Sequence, residues 1–121
     1  MTEYNSKIIE VNSLADAKKQ IQNIGSDPGS INIMAPKMIT KVIKLENVVL
    51  QDAIIIKQDM LSVGGEVAVP KNTFELHKET GTILIIGNLK QLNDLVTKLE
   101  RHYSRLKNIA KELESILKEI R

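Results

Sequence analysis

Leu50-Gln51-Asp52-Ala53-Ile54-Ile55-Ile56-Lys57-Gln58-Asp59-Met60-Leu61-Ser62-Val63-Gly64-Gly65-Glu66-Val67-Ala68-Val69 reads as a helix, its stop and the strand that follows. Ala53, Ile54, Ile55, Ile56, Met60 and Leu61 cover more of the helix surface than one narrow stripe, so Leu50 to Val63 predicts a helix packed on more than one side. Gly64-Gly65 ends it, because a left-handed cap costs glycine little. Glu66 to Val69 then reads as a strand. Downstream, Pro70 to Gly81 is the least regular segment and is expected to be a mobile loop, with Thr73 to Leu76 as a candidate short edge strand. Ile83-Leu84-Ile85-Ile86, bounded by Gly81 and Gly87, has the pattern of a central strand buried on both faces.

The end of the chain is helical in its spacing. Asn88 is placed to cap a helix with Gln91 at the matching position, and Leu89, Leu92, Val96 and Leu99 supply the 3.6-residue period. A break at His102 to Ser104 precedes Leu106, Ile109, Leu113, Ile116, Leu117 and Ile120 on one face of a last helix. Packing against its own fold and self-association both suit such a stripe.

Upstream, Lys7 to Val11 predicts a first strand. Ser13 is an N-cap with Asp16 three residues on, and Leu14, Ala17, Ile21 and Ile24 follow at helical spacing before Gly25. Asp27-Pro28-Gly29 reads as a turn, Ile31 to Met34 as a second strand, and Ala35-Pro36 as its break. Lys37 to Leu45 reads as a short helix with Met38, Ile39, Val42 and Ile43 on one side, punctuated by Glu46-Asn47. The expectation is an α/β fold in one small domain, residues 1–121. Its sheet is of about four strands, mixed or partly parallel, covered by helices and ending in two amphipathic helices.

Composition narrows the function. Aromatics are only 2% of the residues, so aliphatic packing must hold the core. A net charge of +2, with no aromatics alternating with basic residues, argues against nucleic-acid binding. The absence of cysteine excludes a thiolate metal site and fits a reducing cytoplasm. Met1-Thr2-Glu3-Tyr4 lacks a leader pattern and no apolar run approaches the roughly 18 residues of a span, so a soluble cytoplasmic protein is expected. His77 and His102 have no third ligand at metal spacing, and no cofactor motif is present. Ser62 has no His partner, and Asp59 with Glu66 frames a turn in the manner of solvated charges.

Three segments carry a family likeness: Met34-Ala35-Pro36-Lys37, the run from Lys57 to Val69, and Gly87-Asn88-Leu89-Lys90-Gln91. In that order they resemble the N-terminal domain preceding the catalytic barrel in some archaeal and bacterial dihydropteroate synthases, over nearly the whole chain. The family's chemistry sits on a (β/α)8 barrel of about 250 residues. Its Thr-Pro-Asp-Ser-Phe loop is missing here, and Asp27-Pro28-Gly29 lacks the family's continuation, so no catalytic residue carries over. The resemblance implies an accessory domain supporting pterin or folate biosynthesis, with a synthase barrel as partner. Self-association through the C-terminal helices stays open beside it.

From the residues themselves, two breaks lead into helices and carry a lysine, an arrangement that suits an anion. Lys37 and Lys90 are the candidate charges, with Lys57, Gln58, Asn88 and Gln91 as hydrogen-bond partners. Pro36, Gly64, Gly65 and Gly87 are the turn residues. A stand-alone enzyme or binding protein for a small anionic metabolite is the alternative reading; equally, Pro36, Gly64 and Asn88 serve as ordinary helix ends and the lysines as solvated charges.

Overall fold

Alternating β-branched and polar residues from Thr40 to Val49 decide the architecture, because they form the long first strand of a sheet and not the expected helix. The computed structural model describes residues 3–121; Met1 and Thr2, which open the stretch read for a leader, lie outside the described residues. The elements are α1 (Leu14–Asn23), α2 (Pro28–Met34), a 3₁₀ turn (Ala35–Met38), β1 (Thr40–Val49), α3 (Leu50–Ser62), β2 (Glu66–Ala68), β3 (Thr80–Asn88), α4 (Leu89–Leu99) and α5 (Ser104–Leu117). The fold is α/β.

Among the described residues the sheet has three strands in the order β1-β3-β2, and both pairings are antiparallel. This corrects the four-stranded, partly parallel expectation. Lys7 to Val11 forms no strand, and Ile31 to Met34 belongs to α2. There Asp27 caps the helix, accepting from the Gly29 N–H, and Pro28 occupies the first helical position, where its missing N–H costs nothing. The expected turn at Asp27-Pro28-Gly29 is therefore a helix start. Thr40, Val42, Ile43, Val48 and Val49 favour a pleated surface over a helix, which explains why Lys37 to Leu45 is not one. Ile43, Leu45 and Val48 face the core. The step from Leu45 to Val48 holds its side because Glu46-Asn47 form a bulge opposite one residue of β3, with Asn47 in the left-handed region at φ +58°.

β3 is central, as its apolar run predicts, but is buried on one face only. Ile83 and Ile85 point into the core, while Leu84 on the other face is 37% exposed. Beside it, Val42 is 60% exposed. The helices accordingly lie to one side: α3 and α4 contact the sheet, and α5 packs on α4. Leu106, Ala110, Leu113 and Leu117 are buried along α5, so most of the stripe that suited self-association is covered within the fold. α1 and α2 pack on the 3₁₀ turn through the buried Ala17, Ile21 and Ala35.

Turns and caps behave as their residues dictate. Asn88 accepts from the Gln91 N–H at 2.8 Å, and the Asn88 N–H donates to Gln91 Oε1 at 2.9 Å, a full capping box. Ser13 accepts from the Asp16 N–H at 3.0 Å. α3 has no side-chain cap; the Leu50 and Gln51 N–H groups instead donate to the carbonyls of Glu79 and His77. The loop before β3 is thus tied to α3. It turns at Thr73 to Leu76 and contributes no edge strand. Gly64 ends α3 at φ +90°.

Candidate functional site

The most polar buried spot in the fold begins with an oddity in α3: a carboxylate, Asp52, on a helix face otherwise filled by Ala53, Ile56 and Met60. Asp52 is 1% exposed. Its burial is tolerated because three donors reach it from the start of α5. Arg105 donates from Nε to Oδ2 at 2.7 Å and from Nη2 to Oδ1 at 3.0 Å, and the Tyr103 hydroxyl donates to Oδ1. Burial pushes the Asp52 carboxyl up, but the Arg105 and Tyr103 hydrogen bonds outweigh it and hold the group below the usual carboxylate range. Desolvation and the neighbouring carboxylate both raise the Tyr103 phenol. Hydrogen bonding to Asp52 also raises Arg105. The guanidinium lies 5.0 Å from the Tyr103 ring centroid.

Seven residues along α3, on the same side, Asp59 accepts from His102 Nε2 at 2.9 Å when that nitrogen carries the proton. The short connection from α4 to α5 is thereby fastened to α3 at two points. His102 is a structural partner in this arrangement, and among the described residues no group of three or more His, Cys, Asp or Glu is set to hold a metal.

Above Asp52 opens a cleft of about 620 Å³. One wall is β1 from Lys44 to Val49; the other is one face of α5, with Arg105, Asn108, Ile109 and Glu112 at helical spacing. Its side chains are donors, acceptors and charges of both signs. Asp52 is held by Arg105 and Tyr103, and the cleft above it presents hydrogen-bonding groups suited to recognition.

The residues expected at an anion corner are distributed differently. The 3₁₀ turn and the start of α4 do meet, with the Leu89 N–H donating to the Ile39 carbonyl at 2.9 Å. Pro36 and Lys90 line a small cleft of about 280 Å³ there with Asn32, Ile33, Asn93 and Asp94. Lys90 is paired with Asp94 at 2.7 Å, and the amides of Asn88, Leu89 and Gln91 are all engaged inside the protein. Lys37 is exposed on the 3₁₀ turn. Lys57 and Gln58 do not line this cleft: Gln58 is exposed on α3, and Lys57 binds Glu66 at 2.9 Å and the Val67 carbonyl at 2.7 Å. The Lys57 hydrogen bond, with one from the Val67 N–H, holds the Glu66 carboxyl below its usual range. Glu66 and Asp59 therefore have separate partners, Lys57 and His102.

An antiparallel sheet offers no crevice at the carboxyl ends of parallel strands, so the two lysine-bearing breaks do not meet at one. What joins the Lys57–Val69 run to the segment from Gly87 is Met60. A Cβ on Gly65 or Gly87 would come within 2.4 Å of its Cε, and one on Gly64 within 3.1 Å of Gln91 Nε2. The glycines thus admit the fully buried Met60 side chain between α3, β2 and β3. Asp52, Tyr103 and Arg105 were not singled out from the sequence. A charged residue in the apolar run of α3 was the available sign, but its partners lie more than fifty residues away.

No protein-family model and no solved structure matches the chain. Among curated proteins, it is similar to the bifunctional dihydropteroate synthase/dihydropteroate reductase of Helicobacter pylori (strain ATCC 700392 / 26695), with 31% identity over 101 residues. The match takes in 84% of this chain but 27% of that protein. The chain therefore spans about a quarter of the length of the curated relative it matches, and is similar to one region of a dihydropteroate synthase/reductase.

Proposed function

We propose that residues 1–121 form a single accessory domain of folate biosynthesis, one that binds a dihydropteroate synthase barrel and does not itself catalyse the synthase reaction. The observation that carries this reading is the extent of the similarity. The matched 101 residues are 27% of the relative, which leaves roughly 270 residues outside the match, room for a (β/α)8 barrel of about 250. The composition of the cleft between β1 and α5, rich in hydrogen-bonding groups, supports binding as the activity. A reducing compartment, the cytoplasm, fits a chain without cysteine.

The test is a sedimentation titration of this chain against the dihydropteroate synthase barrel of the same organism, with and without pterin substrates. A complex of defined stoichiometry is expected. Absence of a complex in both conditions would refute the accessory role. A second reading is favoured by the two activities in the relative's name: the matched region contributes to the reductase half. Dihydropteroate reduction would then require this chain together with the barrel, whereas the accessory reading expects the chain to add no reductase activity.

A further inference from the structure

The two edges of the sheet are treated differently. On the β2 edge, the outward N–H of Val67 donates to Glu66 Oε1 at 2.8 Å, and the outward carbonyl accepts from Lys57 Nζ at 2.7 Å. Charged side chains close that edge. On the other edge, the ladder fixes which groups point away. The Ile39 carbonyl accepts from the Leu89 N–H, so Lys41, Ile43 and Leu45 exchange bonds with β3 and the backbone groups of Thr40, Val42 and Lys44 face outward. Among the described residues, nothing bonds to those outward groups. A ten-residue strand with an open edge is a template for another strand.

The chain also carries a strand without a template. Lys7-Ile8-Ile9-Glu10-Val11 has strand-forming composition, yet among the described residues no backbone hydrogen bond joins it to the rest of the fold. Ile8 is 96% exposed, the most exposed of the large apolar side chains among the described residues. Five residues extend about 17 Å, the length of the edge from Lys41 to Leu45. The parallel direction fits: with Glu10 opposite Lys44 the segment stops short of the bulge at Glu46-Asn47, sets an ion pair at Lys44, puts Ile8 beside the exposed Val42, and aims the Ile9 N–H at the Val42 carbonyl.

We propose that Lys7–Val11 adds to the β1 edge of a second copy of this chain, and that two copies exchange these segments reciprocally about a two-fold axis. Among the described residues, the backbone of this segment and of this edge both lack hydrogen-bond partners, which is why the partner is another copy. Reciprocal exchange satisfies both deficits in a closed dimer. The occupied edge forms one side of the cleft between β1 and α5.

The 121-residue chain is expected to change from 13.6 kDa to twice that mass in sedimentation as its concentration rises. Ile9→Pro lies in the unpaired segment, so it leaves the fold and its melting unchanged while weakening self-association at least about tenfold. The absence of cysteine allows a direct readout: mixing Glu10→Cys with Lys44→Cys chains under oxidation is expected to link unlike chains. A monomer at every concentration, an Ile9→Pro chain that still dimerises, or a double variant that closes its disulfide within one chain would each overturn the proposal.

Discussion

Replacing Gly65 by alanine tests the packing of Met60 between the end of α3 and the end of β3. Gly65 does not have a positive φ, so alanine meets no backbone strain there. The added Cβ instead falls 2.4 Å from Met60 Cε and 2.9 Å from both Cγ and Sδ. Three atoms of one fully buried side chain must move, and the Cγ contact is close to the backbone, where rotation of the tip gives no relief. Overpacking of this kind costs about 1–3 kcal/mol.

Met60→Ala alone should cost about 2–5 kcal/mol through the cavity it leaves. In that background the clashing atoms are gone, and Gly65→Ala should be neutral or stabilise by about 0.5 kcal/mol through the unfolded chain. The assay is urea unfolding of the four proteins followed by circular dichroism. A double-mutant cycle should return a coupling of about 1–3 kcal/mol. Equal costs for Gly65→Ala in both backgrounds would refute the steric argument. Gly87→Ala is expected to cost less, because it meets only the Met60 methyl at 2.4 Å and Gln91 Oε1 at 3.0 Å.

Gly64→Ala should destabilise by about 1 kcal/mol for its φ of +90°, and Gly64→Asn by less, in the same unfolding assay. The lowered Asp52 carboxyl adds stability that is full above the ordinary carboxylate range and is lost as pH falls through the folded-state value. Melting temperatures from pH 7 to pH 2 should fall less steeply in Asp52→Asn than in the unaltered chain. Tyr103 has the opposite sign: its raised phenol adds stability that is lost as pH rises beyond about 10. With Tyr4→Phe leaving a single phenol, absorbance should show Tyr103 ionising above the ordinary range, and Asp52→Asn should bring it down.

The sequence alone determined the elements whose instructions lie within a few residues. α3 with its Gly64 stop, the Ser13 cap, the Asn88-Gln91 capping box and the central β3 form as their local chemistry requires. A cap or a left-handed turn is settled by neighbours three or four positions away, whatever the rest of the chain does. The β-branched residues from Thr40 onward lean toward a strand, but Met38, Ile39, Val42 and Ile43 also suit a helix face, and the tertiary structure settled β1 because β3, some forty residues later, offers its hydrogen bonds. The same dependence hid the site. Asp52 becomes a buried ion-pair centre because Tyr103 and Arg105 arrive from the start of α5, and Lys57 becomes an edge guard because β2 passes beside α3. Spacing along the chain carries no record of such meetings; they arise when burial forces each polar group to find a partner wherever the fold has brought one.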